Sequence, residues 1–312
     1  MARTTMMSRK ERQRELGAYV KSNWQLYVML LVPVAFVLLF KYAAYPGLRI
    51  AFMNYKPAKG YAGSAWVGME NFQKIFKDKD FLRALKNSLA FNFLDLLLGF
   101  PVPIILALLL NEMRSLRYKK VLQTLLYVPH FISIVIVVSI TFVIFGSSGI
   151  VYKATEMMLG HPIKYLADPG VFRWMIVGQT VWKETGWGTI IFLAALTSVD
   201  TQLYEAAMMD GANRFQRLWH ITLPAIRSTI VLMLVLRMGS VLDTGYDHLI
   251  LMANPLNRKV SQTLDVFVYQ QGIQQGQFSY ASAIGLMKAV VSVTLVVSSN
   301  KIAHLLGEQG LY

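Results

Sequence analysis

The 312-residue sequence contains no cysteine. A disulfide framework, a cysteine-ligated metal site and a thiol nucleophile are therefore excluded. Charged residues are also scarce: they make up 15% of the chain, against about 25% in a typical soluble domain. Hydrophobic residues reach 55%. This balance indicates a chain whose apolar surface is covered by membrane lipid.

Patterns typical of enzymes are missing as well. The sequence has no Gly-x-x-x-x-Gly-Lys-Ser/Thr loop to hold nucleotide phosphates. It also shows no pairing of Ser with His, no pair of catalytic Asp residues and no metal-ligand spacing on a predicted helix. We therefore expect no catalytic residue, no metal and no cofactor in this chain. The 31 Lys and Arg against 17 Asp and Glu fit basic loops and anionic lipid better than nucleic acid.

Long apolar stretches are abundant. About 20 mostly apolar residues are needed to cross the hydrocarbon core as a helix, and six stretches meet this length. They run over 24–44, 88–110, 121–146, 173–197, 228–251 and 280–304. The first follows a basic segment, as in a signal peptide, but it is long and no A-x-A cleavage site follows it. The sequence therefore predicts an all-α, polytopic membrane protein with six transmembrane helices.

The orientation rests on basic residues, which divide almost evenly between the two sides. The short loop between the second and third stretches decides it, since Lys and Arg in short loops resist translocation. That loop contains Arg114, Arg117, Lys119 and Lys120. We predict a cytoplasmic segment at 1–23, the first span at 24–44, an extracellular loop at 45–87, a five-helix core at 88–304 and a cytoplasmic tail at 305–312.

The loop at 200–224 carries the most specific pattern. It reads Glu205-Ala206-Ala207, three residues, Gly211, nine residues, and Ile221-x-Leu223-Pro224. This resembles the EAA loop of the permease subunits of binding-protein-dependent ABC importers, at the family's spacing. An interfacial amphipathic helix without a partner is the alternative. The resemblance implies a type I ABC importer permease fold, and a cytoplasmic coupling helix that docks on the ATP-hydrolysing subunit. The coupling residues it implies are Glu205, Ala206, Ala207, Asp210, Gly211, Ile221, Leu223 and Pro224.

Other stretches look like the carbohydrate-uptake branch of these permeases. They are 127–133, 192–196, 280–291 and Gly307-Glu-Gln-Gly-Leu311, and the nearest type imports acidic plant-polysaccharide fragments such as aldouronates and pectin oligosaccharides. The resemblance implies a bacterial, multi-pass protein of the cytoplasmic membrane that imports oligosaccharides by alternating access and is not itself an enzyme. Its implied partners are a second, related but non-identical permease, two subunits that bind ATP and Mg, and an extracytoplasmic solute-binding protein.

Five charged residues fall roughly 12 to 17 Å inside their predicted spans at 1.5 Å per helical residue. They are Asp95, Lys183, Glu184, Arg237 and Lys288. A charge near the bilayer centre costs about 2.5–3.5 kcal/mol, so each is a candidate for the substrate pathway. Alternatively, the two carboxylates neutralise two of the three cations in ion pairs between helices. One cation is then left over, and we expect it to snorkel to the membrane surface, to bind lipid, or to face the pathway and meet an acidic sugar.

Two further groups are pathway candidates. Asp243 and Asp247 are four residues apart, on one face of a predicted helix, and Tyr246 lies beside them. Carboxylates next to an aromatic ring are typical of carbohydrate sites. The alternative is that the two carboxylates belong to a hydrated helix end. Trp182 and Trp187 in the fourth span are candidate stacking surfaces for sugar rings, with ordinary packing as the alternative.

Glycine, proline and histidine in the spans have simpler interpretations. Gly186 and Gly188 permit either close helix packing or a helix break that lines a cavity. Pro129 is expected to kink the third span. His130 has no ligand partner at helical spacing and is expected to be a hydrogen-bonded core residue.

Two rival functions remain open. One is a permease for neutral oligosaccharides. The other is an ion-coupled secondary transporter, which would use Asp95 or Glu184 as a proton relay and would need no ATPase partner.

Overall fold

The computed structural model describes residues 18–308 and 310–311, except for the side chain of Tyr246. Most of the predicted cytoplasmic segment 1–23 therefore lies outside the described residues. From Trp24 onward the α-helices are α1 Trp24–Val37, α2 Glu70–Lys77, α3 Lys79–Leu98, α4 Pro101–Asn111, α5 Leu116–Phe131, α6 Ile134–Phe145, α7 Ile150–Leu159, α8 Pro169–Thr197, α9 Thr201–Met209, α10 Arg214–Arg217, α11 Leu223–Ala225, α12 Arg227–Gly239, α13 Tyr246–Met252, α14 Arg258–Ser261, α15 Leu264–Tyr269 and α16 Phe278–Leu305.

Four helical segments of the described chain are long and apolar enough to cross a membrane. They are Trp24–Phe52, Lys79–Asn111, Ile134–Leu159 and Phe278–Leu305. A fifth is obtained if Arg214–Ala225 and α12, which meet at 58°, are counted as one bent span. The all-α prediction agrees with these helices, but the predicted number of six spans is not confirmed.

The predicted fourth span is one continuous helix, α8. Its 29 residues correspond to about 43 Å at 1.5 Å per residue, which exceeds the hydrocarbon thickness. The helix begins at Pro169, where a missing N–H costs nothing, and the Asp168 carboxylate accepts a 2.7 Å hydrogen bond from the Gly170 N–H as its N-cap. Polar residues such as Lys183 and Glu184 make it less apolar than the four segments above.

Two of the predicted spans are interrupted. The third stretch breaks between α5 and α6, where Ile132 and Ser133 have extended backbone. The fifth stretch breaks after Gly239, and the chain resumes a helix only at α13, after Gly245 with φ +69°. Only the first break has a proline nearby, Pro129.

The predicted outer loop is a small subdomain. A 3-10 helix over Tyr45–Phe52 leads into a two-stranded antiparallel hairpin, β1 Met53–Asn54 paired with β2 Ala65–Trp66, and then into α2. The buried Asn71 side chain donates hydrogen bonds to the carbonyls of Ala51 and Met53, at 2.8 and 3.1 Å. This amide therefore joins α2 to the hairpin at the centre of the subdomain.

Close helix packing organises the centre of the bundle. A Cβ added at Gly186 of α8 would lie 1.9 Å from the backbone oxygen of Leu126 in α5, and one at Gly188 would lie 3.0 Å from Pro103 in α4. Both glycines therefore serve close packing, and α8 shows no break at this point.

Candidate functional site

The segment at 200–224 begins with a well-capped helix. The Asp200 carboxylate accepts a 2.9 Å hydrogen bond from the Gln202 N–H and caps α9. The helix ends before Gly211, whose φ of +79° is costly for any residue with a Cβ. The predicted helix, turn and second helical stretch are therefore present.

The second half of this segment has its own cap. Asn213 Oδ1 accepts from the Gln216 N–H at 2.9 Å, while Gln216 Oε1 accepts from the Asn213 N–H at 2.7 Å, which forms a capping box. The chain then continues through α10, a π-helical turn at Leu218–Thr222 and α11. The hydroxyls of Tyr204 and Thr222 lie 3.0 Å apart and hold the two arms together.

The surface of the segment carries several large, exposed apolar side chains. Leu203, Met209, Phe215 and Trp219 are 53%, 88%, 75% and 64% exposed, and Glu205 is exposed on the same short helix. A groove of about 290 Å³ lies beside them, lined by Ala207, Asp210, Gly211, Ala212, Gln216, Arg217, His220 and Ile221. Clustered exposed apolar side chains next to a groove are typical of a protein interface.

The remaining predicted coupling residues differ in exposure. Ala206 and Pro224 are exposed, whereas Ile221 and Leu223 are half-buried. The first two are therefore available to a partner. Ile221 and Leu223 instead pack against the protein in the second half of the segment, which leads to α12.

The charges predicted inside the spans are paired. Asp95 of α3 forms an ion pair with Arg237 of α12. Lys183 lies 3.4 Å from Glu184 and donates a 2.6 Å hydrogen bond to the His130 carbonyl. The Asp95–Arg237 pair joins two helices as expected, whereas Lys183 and Glu184 are neighbours on α8 and do not form the expected ion pair between helices.

The third cation is paired too. Lys288 Nζ lies 2.5 Å from Asp243 and also contacts Asp265. Asp265 further accepts a 2.8 Å hydrogen bond from the Thr244 N–H. The expectation of one cation left without a partner is therefore wrong, because it paired the cations only with Asp95 and Glu184 and assigned Asp243 to a carbohydrate site. Asp265 lies outside the six predicted spans, on the short helix α15, whose apolar residues Leu264, Val266 and Phe267 pack into the core.

Other site predictions are corrected by the break after α12. Asp243 lies in the non-helical stretch before α13, so it does not share a helical face with Asp247. Asp247 is exposed in the first turn of α13, and the side chain of Tyr246 lies outside the described residues. Asp243 acts instead as a partner of Lys288.

The structure brings together Asp95, Arg237 and Asp243 around one polar cavity of about 210 Å³. Asn92, Thr180, Ser240 and Thr244 also line it. Ligand pockets usually measure about 300–1,000 Å³, so in this conformation the cavity is smaller than a typical ligand pocket. It is the polar part of the bundle core, where helices α3, α8 and α12 meet.

The predicted tryptophans lie elsewhere. Trp182 borders an apolar cavity of about 530 Å³ between α6 and α8. Trp187 stacks on His130, with ring centroids 4.7 Å apart. His130 Nδ1 lies 2.8 Å from Glu184 Oε2, and its side chain is 27% exposed, so it belongs to a polar cluster with Lys183 and Glu184. The sequence predicts a hydrogen-bonded core residue here. His130 does bond to Glu184, but it is half-buried because it lies next to the end of α5.

Apolar spans, paired charges in the bundle and an exposed connecting segment are features of a membrane transport subunit. The chain belongs to the family of binding-protein-dependent transport system inner membrane components, whose model matches residues 89–307. It is the permease subunit of an ABC importer.

Relatives from Bacillus subtilis (strain 168) match nearly the whole chain. Protein LplB is 50% identical over 298 residues, which cover 95% of this chain and 93% of LplB. The polygalacturonan/rhamnogalacturonan transport system permease protein YteP is 46% identical over 305 residues, which cover 97% of this chain and 95% of YteP.

Solved structures support the fold. A bacterial ABC transporter that imports the acidic polysaccharide alginate is 36% identical with a TM-score of 0.84, and the match covers 93% of this chain and 98% of that one. The alginate transporter in complex with a periplasmic protein carrying alginate pentasaccharide is 36% identical with a TM-score of 0.85, covering 94% and 99%. The expected type I ABC importer permease fold is confirmed.

Proposed function

We propose that this chain is the translocation subunit of an ATP-driven importer of acidic oligosaccharides from plant polysaccharides. The observation that carries the substrate class is agreement between independent relatives. YteP is named for polygalacturonan and rhamnogalacturonan, and the structurally similar transporter imports alginate. All three of these polysaccharides bear carboxylates. A neutral oligosaccharide remains the rival substrate, since arabinooligosaccharide permeases also match, at 26% identity.

The assembly we propose contains a second, non-identical permease, two ATP-binding subunits that hold ATP and Mg, and an extracytoplasmic solute-binding protein. The exposed apolar side chains of 200–224 and the Glu205 carboxylate support contact with an ATPase subunit. The similarity to a transporter solved with its periplasmic protein supports the last partner. The chain would lie in the bacterial cytoplasmic membrane with both termini and the coupling segment inside and 45–87 outside.

Transport in this scheme follows alternating access. Closure of the ATPase subunits draws the two coupling segments together, and the rigid caps of α9 and α10 pass this movement to α8 and α12. Because α12 carries Arg237, its movement changes the polar cavity formed with Asp95. The cavity opens in turn to the binding protein and to the cytoplasm.

The decisive experiment reverses the charge of the coupling helix. Glu205→Lys should leave the permease assembled in the membrane but abolish the stimulation of ATP hydrolysis by loaded binding protein, because a lysine repels the surface that a carboxylate attracts. Glu112→Lys, a change at another exposed glutamate on the proposed cytoplasmic side, serves as the control. ATPase activity in proteoliposomes is the measurement, and normal stimulation of Glu205→Lys would refute the role of this segment.

Sugar uptake in the same vesicles tests the rival class. An ion-coupled secondary transporter would keep importing sugar after the ATPase subunits are inactivated, whereas the proposed importer stops.

A further inference from the structure

A groove of about 540 Å³ lies where the outer subdomain meets the start of α16. Polar side chains along its walls include Asn54, Lys74, Lys77 and Gln277, and Tyr55 contributes an aromatic ring. This volume falls in the range of small-molecule sites, which combine apolar surface with a few convergent polar groups. Neither the sequence patterns nor the pathway charges described above include it.

The walls of the groove are held together across the chain. The Tyr55 N–H donates a 2.8 Å hydrogen bond to the Ser279 hydroxyl, 224 residues away in sequence. The Tyr280 hydroxyl donates a 2.8 Å hydrogen bond to Asp78, 202 residues away. A ligand therefore meets a preformed surface and orders little of the protein on binding.

The charged side chains that line the groove are Lys74, Lys77 and Asp78, which carry a net charge of +1. The subdomain at 45–87 contains eight Lys and Arg residues and three Asp and Glu residues. Among the charges that line the groove, Lys74 pairs with Glu70 at 2.7 Å, and Asp78 is occupied by Tyr280 and by the N-terminus of α3. Lys77 makes no ion pair within the described residues, so it is the cation available to an incoming anion.

We propose that this groove binds one carboxylate-bearing sugar unit at the outer mouth of the pathway and gives the importer its preference for acidic oligosaccharides. Lys77 binds the carboxylate, Asn54 and Gln277 bind hydroxyls, and the Tyr55 ring packs on the apolar face of the sugar. This inference rests on the proposed function and on the outward placement of 45–87.

The paired charges deeper in the bundle favour this location. Lys288 lies eight residues beyond Tyr280 on α16, about 12 Å at 1.5 Å per residue, and its charge is already neutralised by Asp243 and Asp265. Lys183 and Arg237, the other two cations predicted inside the spans, also have carboxylate partners in the described structure. Selection for a negative charge falls to the mouth, where Lys77 is unpaired.

The test compares two lysines that lie two positions apart. Lys77→Gln removes the cation from the groove, and Lys79→Gln makes the same change in net charge at an exposed residue outside the lining. The whole importer is reconstituted in vesicles, and uptake is measured for a short oligogalacturonate and for its neutral methyl ester. Because one binding protein delivers both sugars to every variant, its own preference cancels when the ratio of the two uptake rates is compared.

We expect Lys77→Gln to lower the ratio of acidic to neutral uptake roughly tenfold, the scale of one lost charge-assisted hydrogen bond, while Lys79→Gln keeps the wild-type ratio. An unchanged ratio in Lys77→Gln, or the same change in Lys79→Gln, overturns the proposal. If weaker binding of the solute-binding protein to the transporter explains the whole effect of Lys77→Gln, the groove is a docking surface for that protein and the proposal is overturned. A wild-type complex that imports neither sugar contradicts the proposed function itself.

Discussion

Single charges inside the bundle act as members of pairs. Lys288 is held between two carboxylates from different elements, Asp243 in the break after α12 and Asp265 on α15. Its side chain is 15% exposed, and so its removal leaves the Asp265 carboxylate, 20% exposed, without its cation, while the Asp243 carboxylate, 56% exposed, stays in contact with solvent. Such uncompensated charges are expensive. The residue therefore supports the packing of three elements, and a role in choosing the substrate is not needed to explain it.

This pairing gives a prediction that separates Lys288 from the groove lysine. Lys288→Gln should destabilise the assembled permease by about 1–3 kcal/mol, the cost of leaving one poorly solvated carboxylate unsatisfied, and reduce uptake of acidic and neutral sugars by the same factor. Lys301 is exposed on the same helix and makes no ion pair in the described structure, so Lys301→Gln should leave both the stability of the permease and the uptake of the two sugars unchanged. Yield and thermal stability of the purified complex, together with uptake of both sugars, measure the effect. Selective loss of the acidic sugar would contradict this account of Lys288.

At the scale of helices, contact between α8 and α5 depends on a missing side chain. Gly186→Ala would place a methyl group 1.9 Å from the Leu126 carbonyl oxygen. Since backbone cannot move aside as a side chain can, the helices must separate, at a cost of about 1–3 kcal/mol. Gly178→Ala on the same helix meets nothing within 4 Å and should be neutral, or stabilising by roughly 0.5–1 kcal/mol. Thermal unfolding of the two variants in detergent checks this; equal midpoints would disprove the close contact.

The helices also show what periodicity and hydropathy can predict. Hydropathy located the six long apolar stretches, but it treated the third and fifth as continuous. An apolar side chain such as Ile132 has the same hydropathy in an extended turn as in a helix, so the interruption leaves no mark on this scale. The short helix α15 was missed for a related reason. Six residues are too few to cross a membrane, although Leu264–Tyr269 is apolar enough to be drawn into the core.

At the scale of the whole molecule, the connecting segment was the most predictable part and the pathway the least. Caps, Gly211 and the Ile221-x-Leu223-Pro224 ending are local features, so their structure follows from neighbouring residues. The partners of Lys288 come from Asp243 and Asp265 on separate elements, and only the packed chain brings them together. The outer groove likewise joins residues more than 200 positions apart.

The orientation of the molecule gives the final prediction, and the absence of cysteine makes it testable. In the proposed topology, 45–87 and the loop before α15 face outward, while the coupling segment faces the cytoplasm. Single cysteines at the exposed positions Lys59 and Arg258 should therefore react with an impermeant maleimide in intact cells, and a cysteine at the exposed Arg214 should react only after the membrane is opened.

The membrane side of the groove subdomain and that of the coupling segment depend on each other, because the chain crosses the membrane between them. The groove can receive sugar from a binding protein only if Lys59 and Arg258 are outside, and Glu205 can meet an ATPase subunit only if Arg214 is inside. Both requirements are met if the chain crosses the membrane an odd number of times between the groove subdomain and the coupling segment, and the predicted second, third and fourth spans would give three crossings. Labelling of Arg214→Cys in intact cells, with protection of Lys59→Cys and Arg258→Cys, would overturn the coupling assignment and the groove proposal together, although the fold would stand.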